Sequence, residues 1–404
     1  MTLDWTTRFS ARAAGMTASE IRELLKLLDR PDVVSFAGGI PDPELFPADA
    51  VANAYERVLT SNERKLAALQ YSVSEGYGPL RAHLAEGAGV GVENVLVTNG
   101  SQQGLDFIGK LFVGPGDRVL VTSPTYLGAL QAFSPYEPAY DVVAMDEEGP
   151  LPDALEARLA AKPRFFYLVP DFQNPTGITV SLARREAIVA LCARHGVPIV
   201  EDAAYTRLRY DGQDLPSLLE LDRARAAGEG GFDAAGNVLY LGTFSKTLVP
   251  ALRVGWVVAP ADPLRRLVLI KQASDLHTST INQMVALEVA MTTLDRQIPR
   301  LRAVYRERRD AMLAALSRHM PAGVSWSRPE GGMFVWLTLP AAVDGARLLA
   351  RCVEGARVAF VPGAAFFPDR SGTNTIRLSF SLAKPEVAAP AIGRLAEAVG
   401  ALAQ

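Results

Sequence analysis

The sequence predicts an α/β protein, with a mostly parallel sheet sandwiched between helices and a smaller α+β terminal domain. Short runs rich in Val, Ile and Leu recur along the chain up to Pro260, and each ends in small or polar residues. Amphipathic segments such as 102–112 and 182–196 separate most of them, and this alternation is typical of a parallel sheet with both faces covered. The apolar runs occupy residues 95–101, 119–126, 165–177, 197–205, 238–246 and 253–260.

The two ends of the chain differ from this pattern. Residues 19–28 have the periodicity of a helix, and the arm at 35–47, rich in Pro and Gly, should lie across other elements. After Pro260, residues 281–319 predict one or two long helices, a strand meander follows, and a closing helix begins after Pro385. We therefore divide the chain into an N-terminal helix and arm that packs with the small domain and the substrate site (1–45), a large domain (46–285) and a small α+β domain (286–404).

Composition and charge exclude several functional classes. The 41 Lys and Arg against 44 Asp and Glu give a net charge of −3, so no basic surplus indicates a nucleic-acid or anionic-membrane partner. No apolar run approaches the roughly 18 residues of a membrane span, and no secretory signal is visible. Cys192 and Cys352 lie far apart without a C-x-x-C motif, and the four His are scattered, so we expect reduced thiols, no metal site and a cytoplasmic protein.

The distribution of lysines points to a reactive amine. Of the seven lysines, six lie in sequence typical of an exposed helix or loop. Lys246 instead follows the apolar run 238–242, within a turn rich in Ser and Thr. An amine at the end of a buried strand loses hydration, which lowers its pKa and makes it a candidate for a Schiff base with a carbonyl compound. The alternative is an ordinary surface lysine just past the end of a strand.

The other strand ends carry polar side chains that would meet Lys246. The carboxyl ends of parallel strands share one edge of the sheet, where the ligands of such folds bind. A strand-to-helix junction at residues 100–102 leaves free N–H groups at a helix N-terminus, which is a ready anion site. Arg253 lies seven residues after Lys246. The remaining candidates are Asn174, Asp202, Tyr205, Thr243, Ser245 and, on a late strand of the terminal domain, Arg377.

Together these residues resemble the fold-type I aminotransferases that use pyridoxal 5′-phosphate (PLP). The resemblance runs through nearly the whole chain in family order, and four ordered motifs are far more specific than any one of them. It implies that residues 46–285 form the PLP-binding large domain and that the protein is an enzyme of amino-group transfer. The motifs are Asn174-Pro175-x-Gly177, Asp202-x-x-Tyr205, Ser245-Lys246 with Arg253, and the late Arg377.

The resemblance implies a role for each matching residue. Lys246 would attach the cofactor and, once released by substrate, carry the proton during the reaction. Asp202 would keep the pyridine nitrogen protonated, while Asn174 and Tyr205 would hydrogen-bond the ring oxygen. Arg377 would bind the substrate α-carboxylate through a bidentate pair, beside Asn174. The phosphate would be bound by Ser101, Gln102, Thr243, Ser245 and Arg253, and Tyr126 would stack on the ring.

A further motif at residues 70–77 resembles the family's tyrosine loop. In that loop a tyrosine reaches the cofactor phosphate and the substrate site of the neighbouring subunit. Tyr71 is the matching residue, so the resemblance implies a homodimer with shared active sites. Taken without the family, Tyr71 is an ordinary loop aromatic.

Within the family, the chain is most similar to the 2-aminoadipate aminotransferases of bacterial lysine biosynthesis and to the kynurenine/aminoadipate aminotransferases. This implies transamination between 2-aminoadipate or glutamate, and also leucine or aromatic amino acids, and a 2-oxo acid such as 2-oxoglutarate or 2-oxoadipate. The alternative is a branched-chain or aromatic aminotransferase without an acidic-substrate specialisation. The matching stretches are 19–25, 35–39, 100–103, 275–278 and 361–367.

The substrate side chain is expected to meet the N-terminal segment. 2-Oxoglutarate has a distal carboxylate, and a second cation must bind it if Arg377 is committed to the α-carboxylate. The resemblance implies that Arg22 has this role with Ser19 as a helper, on a mobile lid before the Gly39 arm. The alternative is that Arg22 is a solvated residue on an amphipathic helix.

A protein of another class, a transcription regulator that fuses a PLP domain to a DNA-binding module, is disfavoured. Such a regulator needs a winged helix and a linker ahead of its PLP domain. Here the arm begins at residue 35, and the 34 residues before it are too few for such a module.

Overall fold

The computed structural model describes residues 3–14, 16 and 32–403 of the 404-residue chain. Its longer strands form a large sheet in the first two thirds of the chain and a small sheet near the carboxyl terminus. In chain order the strands are β1 (Val34–Ser35), β2 (Val95–Thr98), β3 (Arg118–Thr122), β4 (Ala139–Val143), β5 (Met145–Asp146), β6 (Gly149–Pro150), β7 (Phe166–Leu168), β8 (Ile199–Asp202), β9 (Val238–Thr243), β10 (Gly255–Val258), β11 (Ser325–Trp326), β12 (Phe334–Thr338), β13 (Val358–Ala359), β14 (Val361–Pro362) and β15 (Thr375–Ser379).

The large sheet, within the described ranges, has the spatial order β2-β10-β9-β8-β7-β3-β4. Neighbouring strands are parallel except where β10 pairs with β2 and β9, to which it runs antiparallel. The predicted class, a mostly parallel α/β sheet, is confirmed. The edge strand β4 was not predicted, because its sequence Ala-Tyr-Asp-Val-Val is only partly buried and lacks a continuous apolar run.

Alternate residues of a central strand enter different apolar clusters. In β2, Leu96 packs into one cluster, whereas Val95 and Val97 pack into the other. Both faces of the strand are therefore buried, and a strand buried on both faces requires a continuous apolar run. Full burial of one such side chain contributes roughly 1.5–3 kcal/mol to the stability of the folded state. Because the central strands bury many such side chains, the sheet is a rigid base for the residues at its edge.

Helices connect the strands and pack on both faces of the large sheet. The helix at Leu182–His195 begins at Ser181, whose hydroxyl accepts from the Arg184 amide, and ends as predicted at Gly196. The φ of Gly196 is +65°, in the left-handed region that favours glycine. In chain order the helices are α1 (Ala11–Ala14), α2 (Ala48–Thr60), α3 (Lys65–Leu69), α4 (Gly78–Ala88), α5 (Ser101–Phe112), α6 (Leu127–Phe133), α7 (Pro152–Leu159), α8 (Leu182–His195), α9 (Leu218–Ala226), α10 (Phe232–Ala235), α11 (Ala261–Ser274), α12 (Thr280–His319), α13 (Gly345–Arg351) and α14 (Pro385–Ala403).

The small sheet has the order β11-β12-β15-β14 and is antiparallel, as expected for an α+β terminal region. The N-terminal arm lies against this region, because β1 pairs in parallel with β13. Asp42 in the same arm forms a buried ion pair of 2.6 Å with Arg308. The helix predicted at 19–28 lies outside the described residues.

The long helix α12 connects the two regions. Its 40 residues run through positions 285 and 286 without a break. It packs against α2 on one side and against α14 of the terminal region on the other. We propose the division into 1–45, 46–285 and 286–404, with α12 as the shared link.

As for membranes, the helices in the described ranges include none that is both long and apolar enough to cross one.

Candidate active site

A cavity of about 750 Å³ lies at the carboxyl ends of the central parallel strands, and its volume is typical of a small-molecule site. The segments that follow β2, β3, β7, β8 and β9 supply most of its walls, which is where the ligands of such sheets bind. Twelve residues predicted from the sequence line it. They are Gly39, Ser101, Gln102, Tyr126, Asn174, Asp202, Tyr205, Thr243, Ser245, Lys246, Arg253 and Arg377.

Lys246 lies in the turn after β9, and its side chain lines this cavity. Its Nζ donates a hydrogen bond of 3.0 Å to the carbonyl oxygen of Gly39. Burial and the positive charges of Arg377 and Arg253 lower the pKa of this amine to about 8, while a nearby carboxylate acts in the opposite direction. A large fraction of the amine is therefore neutral near pH 8, as a nucleophile or base must be.

The expectation that the other six lysines are exposed is wrong for Lys271. Its side chain is fully buried, because an ion pair of 3.0 Å with Asp275 compensates the charge. Lys271 does not line the cavity. Of the described lysines, Lys246 is the only one that does.

Asp202 ends β8 and is the acid that faces the cavity. Side chains alternate along a strand, and the preceding Glu201 points the other way, accepting from the Leu218 and Leu219 amides at 3.0 and 2.9 Å. Asp202 Oδ2 accepts from the Tyr167 hydroxyl at 3.0 Å, while Oδ1 has no hydrogen-bond partner among the described residues. Burial raises the pKa of Asp202 to about 6, although the hydrogen bond from Tyr167 opposes this. Its unpaired oxygen can accept from a cationic N–H group.

Asn174, in the turn after β7, connects two other predicted residues. Its side-chain nitrogen donates to the Tyr205 hydroxyl at 3.5 Å, and its Oδ1 accepts from Arg377 Nη1 at 2.7 Å. Arg377 lies on β15 of the small sheet, 203 residues further along the chain. The terminal region therefore closes one side of a cavity that the large sheet begins.

Arg377 is almost fully buried, yet it retains hydrogen-bonding capacity. Its Nη2 donates to the carbonyl oxygen of Ala37 at 2.7 Å, and its Nε has no partner among the described residues. The guanidinium lies 4.3 Å from the centre of the Phe334 ring and 5.0 Å from that of Phe366, which favours a cation. Burial lowers the pKa of Arg377 to about 10, so the group is still charged at neutral pH. A carboxylate that enters the cavity would neutralise this charge.

The start of α5 and the loop after β9 form an anion cradle. The first amides of α5, at Ser101, have no partner within the helix. Gly100 before it has a φ of +76°, which favours glycine, and a Cβ there would lie 2.5 Å from Arg253 Nη2, so a larger residue would displace the guanidinium. The hydroxyls of Thr243 and Ser245 lie 2.9 Å apart and line the same cavity. Amides, hydroxyls and a guanidinium are the donors that bind a phosphate group.

Tyr126 supplies an aromatic wall of the cavity at the start of α6. A Cβ at Gly128 would lie 2.4 Å from the Tyr126 ring, so glycine allows the ring to pack onto the backbone. Gln102 Nε2 donates to the Gly128 carbonyl oxygen at 2.7 Å and holds this turn against α5. Burial raises the pKa of Tyr126 to about 12, so the phenol is neutral at physiological pH. The ring can therefore cover the face of a planar ligand.

Three predicted site residues are not among the described residues that line this cavity. Tyr71 follows α3 and is 78% exposed, with its ring centre 5.9 Å from that of His277. Arg22 and Ser19 lie outside the described residues. Their predicted roles remain predictions.

Sequence reasoning missed other residues that shape the site. Tyr167 binds Asp202 from the neighbouring strand, and a signal existed, because a tyrosine inside a fully buried strand needs a partner for its hydroxyl. Phe334 and Phe366 enclose Arg377. Phe366 lies in the matching stretch 361–367, but neither residue was given a role, because both resemble ordinary core aromatics. Gln131 also lines the cavity without belonging to any motif.

The donor set fits PLP. The unpaired Asp202 Oδ1 suits a protonated ring nitrogen, and the Lys246 amine suits an aldehyde. The anion cradle at Gly100 and Arg253, where a Cβ would fill the space, suits a phosphate. Among the described residues, no group of three or more His, Cys, Asp or Glu is arranged to hold a metal ion.

Comparison with known sequences identifies the family. Residues 31–395 match the family described as aminotransferase class I and II. The chain is 47% identical over 401 residues to the 2-aminoadipate transaminase of Thermus thermophilus, a match covering 99% of this chain and 98% of the relative. It is 43% identical over 411 residues to aromatic-amino-acid aminotransferase 1 of Thermococcus litoralis, covering 98% and 95%.

The crystal structure of LysN, an α-aminoadipate aminotransferase of Thermus thermophilus complexed with N-(5′-phosphopyridoxyl)-L-leucine, has the same fold. Its TM-score is 0.91 at 45% identity, with 99% of both chains covered. The chain belongs to the class I and II aminotransferases. It is a PLP-dependent aminotransferase of fold type I, an enzyme that transfers amino groups between amino acids and 2-oxo acids.

Proposed function

We propose that this aminotransferase acts on 2-aminoadipate or glutamate with 2-oxoglutarate or 2-oxoadipate as acceptor, and that it also accepts leucine or aromatic amino acids. The observation that carries the proposal is that Lys246, Asp202 and Arg377 line one cavity of about 750 Å³. The two relatives named above support this substrate range. One is a 2-aminoadipate transaminase, which supports the acidic substrates, and the other is an aromatic-amino-acid aminotransferase, which supports the aromatic ones.

Different residues around the cavity would bind different parts of PLP. We assign the phosphate to Arg253 and the α5 amides, together with the hydroxyls of Thr243 and Ser245, and one ring face to Tyr126. When bound, PLP supplies an aldehyde for the substrate amine and an electron-withdrawing ring that stabilises negative charge at the substrate Cα. Asp202 would keep the ring nitrogen protonated, since its Oδ1 has no partner among the described residues and is available to accept from that nitrogen.

The Tyr205 hydroxyl and the Asn174 amide would donate hydrogen bonds to the 3′-oxygen carried by the PLP ring. Burial raises the pKa of Tyr205, so its hydroxyl keeps its proton. The two side chains are 3.5 Å apart and both line the cavity, which supports this assignment. Donors fixed before the ligand arrives stabilise charge without reorganisation.

Lys246 moves the proton. Its Nζ, oriented by the Gly39 carbonyl oxygen, takes the proton from the substrate Cα. A pKa of about 8 suits this task, because a general base works best when its pKa is near the operating pH. The same lysine is the attachment point for the cofactor between turnovers.

Arg377 orients the substrate. Its buried guanidinium has an unused Nε donor and no carboxylate partner among the described residues. We assign it the substrate α-carboxylate, which it would bind together with the Asn174 side chain. Because two aromatic rings and the hydrogen bonds to Asn174 and Ala37 hold the guanidinium, the amino acid would enter in one orientation.

The substrate side chain would meet a mixed wall. The cavity lining includes polar Gln131 and Ser134 and apolar Met16, Ile40 and Pro135, and we assign the substrate side chain to these residues. Such a wall can receive either a distal polar group or an apolar side chain. This composition supports a broad substrate range more than a pocket for one amino acid.

The substrate range is tested with a panel. We expect the highest kcat/KM with 2-aminoadipate or glutamate when 2-oxoglutarate is the acceptor, and measurable rates with leucine, phenylalanine and kynurenine. Aspartate serves as a short acidic comparison. Leucine or phenylalanine exceeding both acidic donors would favour the alternative, a branched-chain or aromatic aminotransferase.

Arg22→Ala should be selective for acidic substrates. We assign the distal carboxylate to Arg22, with Ser19 as a helper and Gly39 on the adjoining arm. Loss of a charged hydrogen bond should weaken aminoadipate, glutamate and 2-oxoglutarate by ~1.5–3 kcal/mol. Half-reactions with leucine or phenylalanine should stay close to wild type, as single-turnover kinetics would show. Equal losses for both substrate classes, or none, would remove Arg22 from the substrate site.

We also propose a homodimer with shared active sites. Tyr71 is exposed next to other exposed apolar side chains on α3 and the following loop, Leu66, Leu69 and Val73. Several large apolar side chains exposed within eight residues of sequence favour a protein interface. In the dimer, Tyr71 would reach the phosphate and substrate of the partner subunit.

A hybrid dimer tests the shared site. Tyr71→Ala and Lys246→Ala homodimers should each be impaired, because each lacks one component of both sites. When the two variants are unfolded, mixed and refolded together, hybrid dimers should form. Each hybrid should have up to half of the activity of a wild-type dimer. One of its two sites would then have both Lys246 and Tyr71. If Tyr71 acts within its own subunit, no site in the hybrid is complete and activity stays at the level of the Tyr71→Ala enzyme.

We propose a cytoplasmic location and no nucleic-acid or membrane partner. Cys192 and Cys352 are both free and buried, which suits a reducing compartment. The net charge of −3 gives no attraction to polyanions.

A further inference from the structure

Lys271, on α11, has a fully buried side chain to which the proposed reaction assigns no role. Its ammonium group donates to both carboxylate oxygens of Asp275, at 3.0 and 3.1 Å, to Gln103 Oε1 at 3.1 Å and to Thr278 Oγ1 at 3.0 Å. A buried ammonium needs partners for its three N–H groups, and this one has a full set. The arrangement is a polar network inside an otherwise packed region, where each member depends on the others.

The partners of Lys271 hold the residue that precedes the anion cradle. Gln103 Oε1 accepts from the Asn99 backbone amide at 2.9 Å. Asp275 Oδ2 accepts from the Asn99 side chain and, at 2.8 Å, from Gln103 Nε2. The Asn99 carbonyl oxygen in turn accepts from Arg253 Nη2 at 3.1 Å. The amide, side chain and carbonyl of Asn99 are thus all fixed immediately before the glycine at which the cradle begins.

The other side of the network is anchored to α12. The Thr278 carbonyl oxygen accepts from Gln283 Nε2 at 2.8 Å, and Gln283 Oε1 accepts from the Tyr77 amide at 2.7 Å. Gln283 is fully buried. Lys271 therefore connects the strand end at Asn99 to a rigid helix rather than to a loose surface segment.

We propose that Lys271 is a positioning residue for the phosphate of the cofactor. Lys271 holds Asn99 in place through Gln103 and Asp275. Asn99 in turn positions the first amides of α5 and the guanidinium of Arg253. The inference rests on the proposed cofactor site and goes beyond it, since Lys271 itself touches no part of the cavity. The network reaches only the phosphate end of the site, so its loss should weaken binding of the phosphate and leave binding of the ring unchanged.

The experiment compares PLP with pyridoxal, which has the same ring and aldehyde but no phosphate. Dissociation constants for both are measured on the full-length apoenzyme by absorbance or fluorescence, together with the rate at which the holoenzyme releases PLP. The variants are Lys271→Met, which keeps the length of the stem, and Asp275→Asn, which keeps the shape of the carboxylate. Lys110→Met is the matched control, because Lys110 is exposed near the far end of α5.

We expect PLP binding to weaken at least tenfold in Lys271→Met and Asp275→Asn, with faster release from the holoenzyme and pyridoxal binding within twofold of wild type. Lys110→Met should bind both as wild type does. Equal weakening of both ligands, or no weakening of either, would overturn the proposal, because a general packing role does not distinguish them. If Lys271→Met loses its cooperative unfolding transition, Asp275→Asn decides the question. If wild type itself does not prefer PLP to pyridoxal, the proposed cofactor site fails, and that result is distinct from a failure of the variants alone.

Discussion

Lys246→Ala is expected to abolish transamination. A positioned proton-transfer group alone supplies roughly 10²–10⁴-fold, and Lys246 would supply the attachment of the cofactor as well. We therefore expect kcat to fall by at least ~10⁴-fold, with steady-state kinetics on aminoadipate and 2-oxoglutarate as the measurement. No other described lysine lines the cavity to replace it.

The same variant should still hold PLP, although without a covalent bond. The anion cradle and the Asp202 carboxylate do not depend on Lys246, so the cofactor should remain after brief dialysis and be lost on prolonged dialysis. Lys110→Ala, at an exposed position, is the matched control and should be fully active. Turnover within tenfold of wild type in Lys246→Ala would show that another group moves the proton.

Asp202→Asn should give the second largest loss. An amide in place of the carboxylate cannot hold the proton of the ring nitrogen by charge, so the ring would withdraw electrons less strongly. Loss of one preorganised electrostatic contact typically costs about 10²–10³-fold in kcat, roughly 2.7–4 kcal/mol. We expect a loss of at least this size, measured as kcat at saturating substrate, with the fold and much of the PLP binding preserved.

Glu201→Gln is the control for Asp202→Asn. Glu201 is the neighbouring acid on β8, but it faces α9 and accepts from two of its amides. Replacement of Glu201 should lower the melting temperature of the enzyme and leave kcat close to that of wild type. Near-wild-type turnover in Asp202→Asn would mean that the ring nitrogen has another partner.

Much of the fold was predictable because it follows from local patterns. The runs that became β2, β3, β7, β8 and β9 are continuous and apolar, as strands buried on both faces must be. The antiparallel direction of β10 was not predictable, because the composition of a short apolar run such as Gly255–Val258 does not indicate whether it pairs parallel or antiparallel to its neighbours. The edge strand at Ala139–Val143 has no continuous apolar run, since only part of it is buried.

The site was predictable where function and local sequence coincide. Asp202 and Lys246 follow buried strands, so their meeting at one sheet edge is a consequence of topology. The contact between Asn174 and Arg377 joins two sheets across 203 residues, and only the family resemblance pointed to it. The burial of Lys271 could not be predicted. Its pair with Asp275 is local but is equally common on an exposed helix face, and its other partner Gln103 lies on another helix, 168 residues away.

The central claim is that Lys246 is the attachment point for PLP, and borohydride reduction of the wild-type enzyme followed by peptide mapping tests it most directly. Reduction makes the bond between lysine and cofactor permanent, so the labelled residue can be read by mass spectrometry. We predict bleaching of the visible absorbance and a pyridoxyl group on Lys246 alone. A pyridoxyl group on Lys271 or Lys110, or an unlabelled enzyme after reduction, would contradict the account.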